Sequence, residues 1–166
     1  MADRELSLEA LVAQIAERLL ARGEWLATAE SCTGGLIAKL LTDRAGSSAW
    51  FERGVVSYSN AAKRELLGVP AATIEAQGAV SEATVRAMAQ GLRAQAPVQW
   101  GVAVTGIAGP GGGSKDKPVG TVWHAWIDAQ GRVEAECRRY DGDRDAVRQQ
   151  TAQRALQGLL ERLDVC

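Results

Sequence analysis

One histidine, one phenylalanine, two tyrosines and three cysteines are spread over 166 residues, and each scarcity closes off a chemistry. His124 has no second imidazole to work with, and no acidic cluster stands at ligand spacing, so no metal and no other cofactor is expected. Cys32, Cys137 and Cys166 are odd in number and far apart. They read as reduced thiols of a cytoplasmic protein, not as a disulfide framework or a zinc site. No apolar run approaches the ~18 residues of a membrane span. The opening Met1-Ala2-Asp3-Arg4-Glu5 carries both signs of charge and does not look like a signal peptide. The net charge is −1 and no long run of Lys or Arg occurs, which argues against nucleic acid or an anionic membrane as the main partner.

What is present is ordinary for a globular chain: 46% hydrophobic and 23% charged residues, with no repeat, low-complexity tract or linker. One domain over residues 1–166 with one sizeable core is expected. Ser7 is placed to cap a helix in which Leu8, Leu11, Val12, Ile15, Leu19 and Leu20 repeat at helical spacing, and Gly23 stops it. Strand candidates cover 25–29, 54–57 and 100–105, and 120–128 with 132–140 reads as a hairpin turning at Ala129-Gln130-Gly131. Helices are expected over 33–42, over 60–67 with Asn60 as cap, after Ser81, and after Gly142-Asp143 to the end. Residues 45–51 read as a turn or short helix. The segment 119–127 is apolar on both faces, as in a strand covered by helices above and below. Alternating strands and helices then give an α/β fold: a three-layer α/β/α sandwich with a mixed central sheet.

The segment 27–35, Ala-Thr-Ala-Glu-Ser-Cys-Thr-Gly-Gly, reads as a strand, a tight polar turn and a helix start. A helix start offers unpaired amides and a positive partial charge to an oxyanion or phosphate. Gly34 and Gly35 let a ligand approach the backbone. Ser31 is therefore either a cap or a nucleophile, and a nucleophile requires a base. His124 lies mid-strand and reads as a packed sheet residue, which leaves Lys63. Lys63 falls in a first helical turn, where the macrodipole disfavours its charge, and burial would act in the same direction. Lys63 reads either as that neutral base or as a solvated surface lysine. Tyr58 stands five residues before it, one too many for the Tyr-x-x-x-Lys pair of short-chain dehydrogenases.

The glycine-rich stretch 106–113 follows the apolar strand that ends in Val104-Thr105. It fails as a Walker loop, because Ser114 stands where glycine must precede the lysine, and it lacks the third glycine of the dinucleotide fingerprint. It reads as a ligand-wrapping loop or as a mobile surface one. Arg144 at the start of the last helix can fork onto a phosphate or simply lie exposed. Cys32 is a rival nucleophile or a small buried side chain. Trp25 and Trp50 fit a subunit contact or the core.

Four segments in order carry a resemblance: 29–35, 54–60 (Gly-Val-Val-Ser-Tyr-Ser-Asn) with Lys63, 78–81 (Gly-Ala-Val-Ser) and 105–112 (Thr-Gly-Ile-Ala-Gly-Pro-Gly-Gly). Together they resemble the CinA C-terminal domain family, from about Leu6 to Leu163, in its stand-alone form without the extra N-terminal domain of larger members. The resemblance implies a serine amidase that turns nicotinamide mononucleotide and water into nicotinic acid mononucleotide and ammonia, in pyridine nucleotide recycling. It implies Ser31 as nucleophile, Lys63 as base and Tyr58 assisting, and a homo-oligomer of two or more chains. Cys32, Thr33, Gly34, Gly35, Asn60, Thr105, Gly106, Ala108, Gly109, Gly112 and Arg144 are the expected substrate contacts. Two other readings stand beside it: a non-catalytic nucleotide-binding or regulatory module, and an amidase for a different amide.

Overall fold

The computed structural model describes residues 5–165. The first helix, α1 (Leu8–Arg22), begins where Ser7 Oγ accepts the amide of Ala10 at 3.1 Å, and ends where Gly23 enters the left-handed region. It leads to β1 (Leu26–Glu30), buried along its whole length. Then come α2 (Leu36–Thr42), a 3-10 turn at Ser47–Ala49, β2 (Phe51–Val56) and α3 (Asn60–Leu67). The order continues with α4 (Ala71–Gln77), α5 (Glu82–Gln95), β3 (Trp100–Gly106), β4 (Thr121–Ile127), β5 (Val133–Arg139) and α6 (Arg144–Val165).

The strands form one sheet in the order β2-β1-β3-β4-β5, parallel across the first three and antiparallel across the last three. On one face Leu26, Val102, Val104 and Trp126 pack under Leu11, Ile15 and Leu19 of α1, Ile37 and Leu41 of α2, and Leu156, Leu159 and Leu163 of α6. On the other, Ala27, Ala29, Ala103 and Ala125 pack under Leu67 of α3, Ile74 of α4, and Val85, Met88 and Leu92 of α5. This is the expected three-layer arrangement. Alternate residues of β1 and β3 serve opposite layers, so both strands are buried on both faces.

Register sets the stage for chemistry. Glu30 pairs with Val56 on one side and Val104 on the other, so Ser31, Ser57 and Thr105 stand level, one step beyond. From there the chain leaves β1 toward α2 on one face and leaves β2 toward α3 on the other. Neighbouring parallel strands whose connections diverge open a crevice at their carboxyl ends.

Several expectations shift. The helix expected from residue 33 starts at Leu36, because residues 31–35 form a tight turn instead. Ser59, not Asn60, caps α3, its hydroxyl accepting the amide of Ala62 at 3.0 Å. The short α4 has no counterpart in the sequence reading; it buries only Ile74 and lacks a side-chain cap. Trp50 is buried in the core and Trp25 is half-buried, so Trp50 is not a subunit-contact residue. Cys166 lies outside the described residues.

Candidate active site

Two crevice turns bring a serine and a lysine together. Ser31 follows β1, and Lys63 sits in the first turn of α3, just after β2. Lys63 Nζ lies 2.8 Å from Ser31 Oγ, 3.0 Å from the carbonyl oxygen of Ser57 and 3.1 Å from that of Tyr58. Lys63 is 1% exposed and Ser31 7%. Among the described residues no carboxylate forms an ion pair with this amine. Burial pushes its pKa below the ordinary lysine value, against a weaker upward pull from Cys32.

Donor counting then says what each form of the amine can do. Main-chain carbonyls only accept, so Ser57 and Tyr58 take two N–H bonds from Lys63. A neutral amine has two N–H donors and one lone pair. In the charged form a third N–H is donated to Ser31 Oγ at 2.8 Å; in the neutral form both donors are spent on the carbonyls and the lone pair is left for the hydroxyl hydrogen of Ser31. In that neutral form a serine hydroxyl aimed at a buried amine has what an activated nucleophile requires.

Tyr58 meets this pair through its main chain. Its carbonyl accepts from Lys63 and lies 3.5 Å from Ser31 Oγ, while the residue as a whole is 59% exposed. The Tyr58 hydroxyl accepts from Arg144 Nη2 at 3.1 Å, so its side-chain partner is Arg144 rather than Ser31 or Lys63. Arg144 also donates through Nη1 to the carbonyl of Gly109 at 2.8 Å. One guanidinium thus ties the glycine loop to the rim of the crevice. Thr105 is buried and its Oγ1 donates to the carbonyl of Ala79 at 2.9 Å, which connects the segment 78–81 to the same corner. Ala108 is buried with Cys32, Val122 and Val147, behind the turn. Gly112 has positive φ in the exposed part of the loop, and Asn60 is exposed at the start of α3.

The turn itself departs from expectation. Gly34 N donates to Ser31 O at 3.0 Å and closes it, with Gly34 and Gly35 at φ 59° and 104°, where a side chain would be strained. The first-turn amides of α2 do not face an incoming anion. Those of Ile37 and Ala38 donate to the carboxylate of Glu30 at 2.9 and 3.0 Å, and the Thr33 hydroxyl donates to it at 2.6 Å. The amides of Thr33 and Gly35 donate to no other described residue. Cys32 is no rival nucleophile: burial pushes its thiol up to about 12, so it stays protonated. Its sulfur packs where Gly106 leaves room; a Cβ there would lie 3.1 Å from Sγ and 2.6 Å from Val122 Cγ2.

The sequence reading missed Glu30 and Arg148. Arg148 Nη2 donates to the carbonyl of Thr33 at 2.9 Å and holds the turn from the α6 side. Its position one helical turn after Arg144 was the available signal. His124 is fully buried in β4, its Nε2 3.2 Å from the Tyr140 hydroxyl, and takes no part in the Ser31 cluster. Among the described residues no group of three His, Cys, Asp or Glu is placed to hold a metal ion, and no helix is long and apolar enough to cross a membrane. Two concavities elsewhere, one lined by Trp100, Trp126 and Arg162 and one by Leu67, Gln90 and Gln95, include neither Ser31 nor Lys63.

Comparison with known proteins adds a lineage to this geometry. Residues 8–163 match the model of the CinA C-terminal domain. The chain is 54% identical to nicotinamide-nucleotide amidohydrolase PncC of Enterobacter agglomerans, over 94% of this chain and 95% of that protein. It is 56% identical to a CinA-like protein of Anaeromyxobacter dehalogenans over 86% of this chain, which spans only 35% of that longer protein. The crystal structure of a competence-damaged protein (CinA) superfamily protein from Klebsiella pneumoniae superposes with a TM-score of 0.92 at 40% identity, covering 97% of this chain and 100% of that one.

Proposed function

Because this chain belongs to the CinA C-terminal domain family, we propose that it is a serine amidohydrolase converting nicotinamide mononucleotide and water to nicotinic acid mononucleotide and ammonia. The activity for which the Enterobacter agglomerans relative is named supports the substrate class. The observation that carries the chemistry is the 2.8 Å contact between Lys63 Nζ and Ser31 Oγ, with both remaining amine contacts made to carbonyls.

Lys63 takes the hydroxyl proton as Ser31 Oγ attacks the carboxamide carbon. The carbonyl π electrons move onto oxygen, and the anion is met by turn amides left without protein acceptors, those of Thr33 and Gly35. The protonated Lys63 returns its proton to the departing nitrogen. The C–N bond breaks, ammonia leaves and an ester to Ser31 remains. Lys63, neutral again, deprotonates water, which attacks the ester carbon. Oγ departs with the proton and the carboxylic acid is released. Every proton passes through one amine, so a single buried base suffices for both halves.

The rest of the nucleotide is held at the rim. Arg144, already joined to Gly109 and Tyr58, is the guanidinium proposed for the phosphate, and the loop 105–113 is proposed to hold part of the rest of the nucleotide. Holding these remote groups orients the amide against Ser31. The test is ammonia release from nicotinamide mononucleotide by the wild type, Ser31→Ala and Lys63→Met. Release by the wild type alone supports the reading. Binding of the nucleotide with no release by the wild type overturns it in favour of a binding module, and equal release from amides lacking phosphate overturns the substrate assignment.

A further inference from the structure

Glu30 is the one fully buried carboxylate adjoining the nucleophile, and the mechanism above does not use it. It is 1% exposed, and its neighbour in the chain is Ser31. Its two oxygens are fully engaged by three donors: Oε1 accepts from the Thr33 hydroxyl at 2.6 Å and from Ile37 N at 2.9 Å, and Oε2 accepts from Ala38 N at 3.0 Å. No cation is among those partners. The amine of Lys63 bonds to Ser31, Ser57 and Tyr58 instead. A carboxyl group buried without an ion pair is held by its hydrogen bonds alone, and what those bonds fix is the question.

Those bonds fix a choice of conformation. Residues 33–35 could continue α2 backwards, as the sequence pattern suggests they would. Helical continuation would turn the Ile37 and Ala38 amides toward the carbonyls of Thr33 and Gly34, as i to i−4 bonds require. In the structure both amides are given to Glu30, and helical geometry begins only at Leu36. The preceding residues are thereby freed for the tight turn closed by Gly34 N on Ser31 O, with Thr33 pinned by its hydroxyl below and by Arg148 on its carbonyl. This arrangement leaves the Thr33 and Gly35 amides without protein acceptors beside the nucleophile.

On the reading that Ser31 is the nucleophile, we infer that Glu30 is a positioning residue of the reaction: its carboxylate intercepts the first amides of α2 and so holds the Ser31–Gly35 turn in the form that presents the hydroxyl and the free amides together. It acts through the turn and touches neither substrate nor Lys63. The requirement is for an acceptor on both oxygens. Glutamine has the same length but offers one acceptor and one NH2, which sets a donor against a donor at one of the three contacts.

The experiment compares wild type, Glu30→Gln, Thr33→Val and Ser31→Ala, with each rate divided by the folded fraction from circular dichroism. Two reactions are followed: ammonia release from nicotinamide mononucleotide, and covalent labelling of Ser31 by a fluorophosphonate. Labelling reads the turn whatever the natural substrate is. A misplaced nucleophile or a lost oxyanion donor costs about 100-fold or more. Glu30→Gln is therefore expected to lower kcat and the labelling rate by that order, with KM within about threefold of wild type on the same grounds. Thr33→Val, which removes one donor, is expected to fall between the two, and the limb of the pH profile governed by Lys63 stays in place.

Glu30→Gln and Thr33→Val both labelling and turning over within threefold of wild type per folded molecule would reduce Glu30 to a structural residue and overturn the inference. So would a loss confined to KM, or a shift of the Lys63 limb, which would mean action through the field rather than the turn. If the wild type is labelled at Ser31 yet releases no ammonia, the substrate reading fails, and the labelling comparison alone still decides the role of Glu30.

Discussion

Two buried bases lie on either side of the sheet centre, Lys63 at the ends of β1 and β2 and His124 in the middle of β4, and both are pushed toward neutrality by burial. Their surroundings separate them. Lys63 meets a serine hydroxyl at a crevice where two strands send their connections to opposite faces. His124 stacks on Trp126 with ring centroids 5.9 Å apart and meets the Tyr140 hydroxyl at 3.2 Å. Burial raises the Tyr140 hydroxyl out of the range in which it could exchange a proton near neutrality. A perturbed buried base is therefore common to both regions, and the contact with a serine hydroxyl at a strand end is what singles out Lys63 for the proposed mechanism.

The largest expected effects separate the two regions outright. Ser31→Ala should abolish amide hydrolysis, with a loss on the order of 10⁴-fold or more. Lys63→Met should cost roughly 10² to 10⁴-fold in kcat. His124→Gln should leave kcat per folded molecule within threefold, read by ammonia release. A large loss of turnover in the histidine variant with retained fold would break the comparison.

Acid should also act differently on the two groups. Lys63 works as the neutral amine, so kcat/KM should rise with pH through one proton loss at a midpoint below the ordinary lysine value of about 10.4. His124 controls stability instead. Its folded value is about 4 against an ordinary 6.5, so between those limits the unfolded chain binds more protons than the native one. Stability should rise with pH across that window, by about 3 kcal/mol for a shift of this size, and be lost on acidification. Urea unfolding at pH 7, 5.5 and 4.5 measures this slope, and His124→Gln should flatten it.

How much of this was readable from residues alone depends on the scale of the signal. α1 and α6 declare themselves through a long apolar stripe, and every inward residue expected on α6 (Val147, Thr151, Ala155, Leu159 and Leu163) is fully buried. The hairpin of β4 and β5 follows from its turn, where the Asp128 carboxylate accepts the amides of Gln130 and Arg132. The start of α2 was not readable, because it is set by Glu30, whose side chain reaches seven and eight residues ahead. α4 has too few buried side chains to leave a pattern. Ser31 and Lys63 stood out by residue type, yet their meeting depends on the parallel register of β1 and β2, which no local spacing encodes. Tyr58 was visible as a side chain, whereas its contact with the pair comes from a main-chain carbonyl common to any residue.

Smaller effects sharpen the boundary of the reactive region. Gly106→Ala would press a methyl group against Val122 and the Cys32 sulfur, between β4 and the Ser31 turn. It should cost about 1–3 kcal/mol of stability in thermal unfolding, with some loss of kcat. Tyr58→Phe should have the least effect of all, under about tenfold in kcat, because the carbonyl that holds Lys63 is kept and only the bond to Arg144 goes. Its loss should appear mainly in KM.

The central claim is that Lys63 is uncharged when it faces Ser31, and 15N NMR of lysine-labelled protein tests it most directly. The account predicts a Lys63 Nζ titration well below about 10.4, with a midpoint that coincides with the rising limb of kcat/KM. An Nζ that stays protonated through the pH range where the enzyme is fully active would contradict it.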